Sequence, residues 1–335
     1  MFHTFSVALA AILAMFSIVG VGLLLRRTGR LTRDVEQPLL RLTIDLLLPC
    51  LIFDRVIKTD AFSNPQNLWL PPLLGFGLVA VGILIALCVG LLPARHSGLK
   101  TWKQRRTFAA CVGIVNYGFV PIPLVLALFP GDGRTLGVLF VQNLGVELSV
   151  WTIVLFAMIG KFDGKALRRL INGPNIAIVA SVTLNLLGNS RFVPAAFHEH
   201  VAPCFDFLLM TIQMLGAAGI PLSIILIGAI FADHFHREEI KERLPRTLKI
   251  AFWSVLIRLV VMPVIFVSLA VVLPCTVEIK RVLIVHGAMG SAIFPMVLAK
   301  HYGGEPKTAF DTILSNAILS VITLPLWVAV GLSLI

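Results

Sequence analysis

Residues 116–124 read NYGFVPIPL, and residues 290–298 read GSAIFPMVL. Both stretches lie inside otherwise continuous apolar sequence, and both set glycine and proline where a helix should run unbroken. Proline removes an i to i−4 hydrogen bond, clashes with the preceding turn and pushes its neighbour away from helical dihedrals. Pro121 and Pro123, with Gly118 just before them, therefore predict a helix unwound at mid-depth, and Gly290 with Pro295 predicts a second.

The surroundings of these breaks fix the class. The chain has 335 residues, of which 58% are hydrophobic and only 13% charged, with a mean hydropathy of +0.94. That balance belongs to a polytopic membrane protein and excludes a soluble domain. The apolar runs are continuous and near the ~20 residues a helix needs to cross the hydrocarbon, without the alternation of barrel strands. Ten spans are predicted, at 2–25, 36–57, 68–92, 107–130, 135–160, 174–188, 203–231, 247–273, 281–300 and 308–332. The fold class expected is all-α integral membrane.

The first span follows MFHTF, which lacks a basic n-region, and is followed by RRTGR, so it is not read as a cleavable signal. Basic residues concentrate in alternate loops: around Arg26–Arg33, Arg95–Arg106, Lys161–Arg169, Arg237–Lys249 and Lys300–Lys307. The opposite loops hold only Lys58, Arg134, Arg191 and Lys280. The positive-inside rule then puts both termini outside. It also accounts for the formal charge of +11 without a nucleic-acid partner, because the charges are spread over five loops.

The offset that carries Gly118 onto Gly290 also aligns Pro123 with Pro295, Val125 with Val297, Leu126 with Leu298, Ala127 with Ala299 and Gly131 with Gly303. It aligns Pro49 of LLLPC with Pro221 of AGIPL as well, and brings Asn143 within one residue of Asn316. Matched prolines in two separate helix pairs predict a duplicated five-helix unit, residues 1–172 and 173–335. An odd number of spans per unit makes the second copy inverted. Backbone freed at the breaks of spans 4 and 9 cannot face lipid and must be buried or line a wet cavity. If the two breaks cross, half-helix ends of opposite partial charge meet near the bilayer centre, a ready site for a small ion. The bland alternative is an ordinary proline kink, which repeat-related placement disfavours.

NYGFVPIPLVLAL, AAGIPLSIILIGA, FPMVLAKHYGGEP and VQNLGVELSVW together resemble the auxin efflux carrier family, from the second helix to the tenth. The resemblance implies two inverted five-helix repeats, helices 1, 2, 6 and 7 as scaffold, and helices 3–5 and 8–10 as a mobile transport domain around crossed helices 4 and 9. It also implies a homodimer through the scaffold helices. Plant members export auxin, and bacterial members include proposed malonate and malate carriers. Asn116 matches the polar residue of the first crossover, Pro123 and Pro295 match the crossover prolines, and Gln142 and Glu147 fall where plant carriers have glutamines. Pro121 stands where the family usually has glycine, and Glu147 replaces an uncharged amide, which counts against auxin itself. His286 precedes the second break without a matched asparagine.

Intramembrane ionisable groups are costly unless paired or hydrated, so each is a functional candidate. Glu147, one turn from Asn143, reads either as a proton-coupling carboxylate or as a static partner of Arg258; Arg258 could instead attract a carboxylate. His286 can contact the cavity or pack as a hydrogen-bonded core residue. Arg41 and Asp45 are an i, i+4 pair, while Asp206 and Asp311 fit interfacial positions. The candidate substrate-binding set is Asn116, Tyr117, Gly118, Pro121, Pro123, Gln142, Asn143, Glu147, His286, Gly290, Ser291, Pro295 and Asn316.

Enzyme and metal signals are poor. The five cysteines have no CxxC spacing, and HFHREE at 234–239 reads as a solvated loop face. No HExxH, GxSxG or Walker pattern occurs. No cofactor and no metal are expected. The sequence therefore predicts a bacterial inner-membrane secondary carrier of a small organic anion, a mono- or dicarboxylate such as malate or malonate, working by elevator-type alternating access with Glu147 as the candidate for proton coupling. The alternatives are an auxin-like or other weak-acid efflux carrier, a membrane-embedded enzyme with His286 and Glu147 as acid and base, and a passive channel.

Overall fold

The computed structural model describes residues 2–159, 164–188, 195–234 and 244–335. Lys161, Arg191, Arg237, Lys241, Arg243 and the side chains of Cys204, Asp206 and the HFHREE stretch lie outside the described residues.

Among the described residues, twelve helical stretches carry the architecture: α1 (Phe2–Arg27), α2 (33–57), α3 (Gln66–Gly90), α4 (Trp102–Gly113), α5 (Pro121–Leu128), α6 (133–159), α7 (Gly173–Gly188), α8 (Ala195–His234), α9 (244–272), α10 (Val277–Ala288), α11 (Phe294–His301) and α12 (Pro306–Leu332). No strand forms among these residues. Three of the helices carry a π-helical turn, Thr43–Leu47 in α2, Val150–Val154 in α6 and Leu256–Val261 in α9. Such turns frequently sit at functional sites.

Six of the described helices are long and apolar enough to cross a membrane alone: Thr4–Arg27, Gln66–Gly90, Gly133–Met158, Phe207–Ala232, Thr247–Val272 and Pro306–Leu332. The short helix Gly164–Leu170 and Gly173–Leu187, bent by 59° to each other, make a seventh if counted as one. The stretches expected as the fourth and ninth spans are each divided in two, α4 with α5 and α10 with α11, and each half is 12 or 8 residues long. With a helical rise of about 1.5 Å per residue, neither half spans the hydrocarbon alone.

Helix contacts join the whole chain, and α1 packs on α12 and α5 as well as on α8. α2 packs on α7 and α8, and α8 on α1. α3 packs on α4 and α6, while α9, α10 and α12 pack on one another and α10 touches α6. Small residues let backbones approach. A Cβ at Gly22 would lie 2.0 Å from the Ile225 carbonyl oxygen, and one at Gly228 would lie 2.1 Å from that of Val19, so α1 and α8 press together reciprocally. The α3–α6 contact is as close: a Cβ at Gly145 would meet the Pro72 oxygen at 1.8 Å, and one at Gly75 the Gln142 oxygen at 2.4 Å.

Buried polar side chains are spent on loose backbone ends. Asn185 of α7 donates to the carbonyls of Val56, Ile57 and Thr59 at the end of α2, at 3.3, 2.9 and 2.7 Å. The expected Arg41–Asp45 pair does not form. Both side chains are exposed, and the π turn that starts at Thr43 separates them.

Candidate functional site

The first break begins where α4, started by a Thr101–Gln104 capping box, ends at Gly113. The second begins where α10, capped by Thr276, ends at Ala288. Both chains then run extended and meet: Val115 and Ser291 form an antiparallel bridge, with Asn116 N–H donating to the Gly290 carbonyl and Ala292 N–H to the Ile114 carbonyl, each at 3.0 Å. Freed backbone groups of one break thus satisfy those of the other, which is what an apolar interior demands.

The prolines act differently from the sequence expectation. Pro121 opens α5, and Pro295 lies in the first turn of α11. There the missing N–H is one that no helix would have paired. Each break lies ahead of its proline, and Pro123 also falls in a first turn. The prolines set where the second half-helix starts.

Side chains from α6, α10 and α12 close around the paired segment. Gln142 Nε2 lies 2.7 Å from His286 Nδ1, joining α6 to α10 in the buried core. Asn143 Nδ2 donates to the Tyr117 carbonyl at 2.9 Å. Asn316 Nδ2 donates to Ser291 Oγ at 2.9 Å and to the Thr312 carbonyl at 3.0 Å. Because Tyr117 and Thr312 offer carbonyl acceptors, both asparagine amides must face them with nitrogen. Their Oδ1 atoms are buried without a partner, as are Gln142 Oε1 and His286 Nε2. Four orphaned polar atoms around one backbone crossing are far denser than a packed core carries. Asn116 is half-buried, and its side-chain amide makes no hydrogen bond to any described residue. Gly118 shares that partial exposure, and a Cβ there would meet nothing within 4 Å.

Glu147 is held by two donors, the Tyr117 hydroxyl at 2.6 Å and Trp151 Nε1 at 2.9 Å. Arg258 is not its partner. The Arg258 side chain is fully buried and donates from Nε to the Met289 carbonyl at 2.8 Å and from Nη2 to the His286 carbonyl at 2.9 Å. No carboxylate among the described residues pairs with it, so the static Glu147–Arg258 pair is overturned. Gly75, Gly113, Val115, Gln142, Val146, Arg258, Phe266 and His286 surround a closely packed space too small to hold a water molecule.

Sequence reasoning missed Trp151, although its i, i+4 spacing from Glu147 places both on one helix face. It also missed what surrounds that indole: Phe294 of α11 meets it edge-on at 5.7 Å, and the Arg169 guanidinium lies 5.1 Å from its ring and 5.2 Å from that of Tyr302. α6 and α11 therefore meet at Trp151 and Phe294. No group of three or more His, Cys, Asp or Glu suited to a metal occurs among the described residues.

In the loop after α2, Asp60 accepts a hydrogen bond from Arg134 at the start of α6, which holds the Asp60 carboxyl below the ordinary aspartate range. Arg281 Nη1 contacts Asp132 Oδ2 at 2.7 Å, tying the start of α10 to the loop before α6.

Two comparisons bear on this arrangement. A protein from Methanothermobacter thermautotrophicus named "Uncharacterized transporter" is 24% identical over 320 residues, covering 94% of this chain and 96% of its own. A family described as "Membrane transport protein" matches residues 7–328, nearly the whole chain. With an all-helical fold, two broken helices meeting by their backbones and that match, the chain belongs to the membrane transport protein family, the auxin efflux carriers.

Proposed function

We propose that the protein is a secondary active transporter of a small organic anion, a mono- or dicarboxylate such as malate or malonate, with the ligand bound where the two helix breaks meet. The observation that carries this is the backbone pairing of Val115 with Ser291 amid four orphaned polar atoms. It supports reading α4 with α5, and α10 with α11, as two broken spans that cross. On that reading the chain has ten spans in two inverted repeats, 1–172 and 173–335. The N-termini of α5 and α11 supply positive half-helix ends for the anion, and Asn116 supplies an amide donor.

The dense packing of α2 on α7 and α8, and of α1 on α8, supports an elevator in which α1 also abuts the moving body at α12 and α5. α1, α2, α7 and α8 form the scaffold, and α3 to α6 with α9 to α12 form the body that carries the site. Glu147, with no cation among the described residues paired to it, is the coupling carboxylate, taking up a proton on one side and releasing it on the other. Scaffold helices form the homodimer contact, both termini lie outside, and the protein resides in the bacterial inner membrane.

Purified protein screened by thermal shift against a panel of carboxylates, then reconstituted for uptake and counterflow, tests this. A stabilising acid that enters unchanged, saturably and with counterflow is the expected result. Chemical conversion of the acid would make the protein an enzyme, and non-saturable flux would make it a channel.

A further inference from the structure

Tyr117 and Met289 are separated by the same offset that aligns Gly118 with Gly290 and Pro123 with Pro295. Their backbone carbonyls are therefore repeat-related, yet they are satisfied by different chemistry. The Tyr117 carbonyl accepts from the neutral amide of Asn143. The Met289 carbonyl accepts from the guanidinium of Arg258, which also holds the carbonyl of His286 in the last turn of α10. Asn316, the counterpart of Asn143, is turned instead to Ser291 and Thr312. The position that this offset pairs with Arg258 in the first repeat is Ala86, fully buried, so the cation belongs to one repeat alone.

A fully buried guanidinium without a carboxylate is expensive, and something must compensate it. The compensation here is the carboxyl end of α10, whose aligned peptide dipoles place roughly half a negative charge at the break. Carbonyls turned inward at a broken membrane helix are the usual ligands of a small free cation. Arg258 reaches them from the π turn Leu256–Val261 of α9, with Phe266 5.7 Å from its guanidinium carbon.

We propose that Arg258 is a tethered cation: a positioning residue that permanently fills, at the second break, the place a mobile alkali cation would occupy. Folding and binding then require no sodium or potassium at this end of the crossing. The thermal consequence stands on backbone geometry alone, whereas cation-independent transport rests on the carrier reading above.

The test compares purified wild type with Arg258→Met, which keeps a long apolar stem, and with Arg258→Lys, which keeps the charge. Melting temperature is read in sodium, potassium and N-methylglucamine media, with and without low-millimolar guanidinium. Wild type is expected to melt alike in all of them. Arg258→Met is expected to melt lower and to regain a few degrees with guanidinium or an alkali cation, because the vacated carbonyls bind it. Arg258→Lys should stay indifferent. A role in packing alone lowers the melting temperature of Arg258→Met without any cation response, and that result overturns the proposal, as does a wild type stabilised by one alkali cation over the others. If Arg258→Met does not survive extraction, Arg258→Lys decides: a folded lysine variant that becomes cation-dependent refutes the tethered charge, and one that remains indifferent supports it. In proteoliposomes the Met variant should lose uptake in N-methylglucamine and recover it with guanidinium. Absence of saturable uptake in wild type would defeat the carrier reading while leaving the thermal result standing.

Discussion

The hydroxyl of Tyr117, in the first helix break, donates to Glu147 Oε1 at 2.6 Å, and Glu147 Oε2 accepts from Trp151 at 2.9 Å. The carboxylate is thus fixed by two neutral donors, and no cation among the described residues pairs with it. Glu147→Gln keeps a carbonyl for one donor and leaves Arg258 fully bonded. We expect this variant to fold with a loss of stability near ~1 kcal/mol, the scale of one hydrogen bond. Exchange should survive while accumulation driven by a pH gradient vanishes. Melting temperature and uptake measured together check it, and undiminished pH-driven accumulation would remove Glu147 from coupling.

Asn116→Ala should abolish ligand stabilisation in the thermal-shift screen while leaving the apo melting temperature unchanged. The Asn116 side chain bonds no described residue, and its backbone N–H, which bonds Gly290, survives the substitution. Wild-type affinity in the variant would place the ligand elsewhere.

Pro123→Ala should be mild. The proline sits in the first turn of α5, where a restored N–H finds no carbonyl obligation in the helix, so folding and uptake should change little. Pro121→Ala and Pro295→Ala should cost more, because these residues stand at the first and second positions of their half-helices and fix φ where each helix starts. Uptake kinetics of the three variants side by side give the ranking, and a Pro123 variant as impaired as the other two contradicts it.

Gly145→Ala should destabilise by about 1–3 kcal/mol, the usual cost of overpacking. A methyl there would collide with the backbone of Pro72, which cannot rotate away as a side chain can. Gly118→Ala, where the added Cβ meets nothing, is the control for folding. Equal melting temperatures for the two would deny the close α3–α6 approach.

The Asp60–Arg134 pair carries a pH signature on the loop side. With the Asp60 carboxyl held below its ordinary range, its contribution is present above the unfolded value near 3.8 and is lost as pH falls through the lower folded value. Both side chains are more than half exposed, so the effect is small and screened by salt. At low ionic strength the stability difference between wild type and Asp60→Asn should be present above about 3.8 and vanish as pH falls through the lower folded value.

The membrane class, the two breaks and the polar residues around them were legible in the sequence, because glycine, proline and asparagine are rare enough in apolar helices to stand out. The function of the prolines was not, since composition marks a break without saying on which side of the proline it falls. The partners of Arg258 were out of reach for a deeper reason. They are the carbonyls of His286 and Met289, and a backbone acceptor has no letter of its own. Charged side chains invite a search for opposite charges in the sequence, and that search leads from Arg258 to Glu147. The Trp151–Phe294 contact was hidden likewise, by a separation in the chain that no local pattern bridges.

The pairing of Ile114 and Asn116 with Ala292 and Gly290 also sets the order of events during biogenesis. Ribosomes add about 5–20 residues per second, so the first break must wait roughly 10–35 s inside the bilayer before its partner strand is synthesised. Through that interval its peptide groups need another host, which water, the insertion machinery or a chaperone must supply. A chain cut between α6 and α7 would never be released from that state, and quality-control proteases should clear it. The two halves supplied as separate polypeptides should accumulate only when made together.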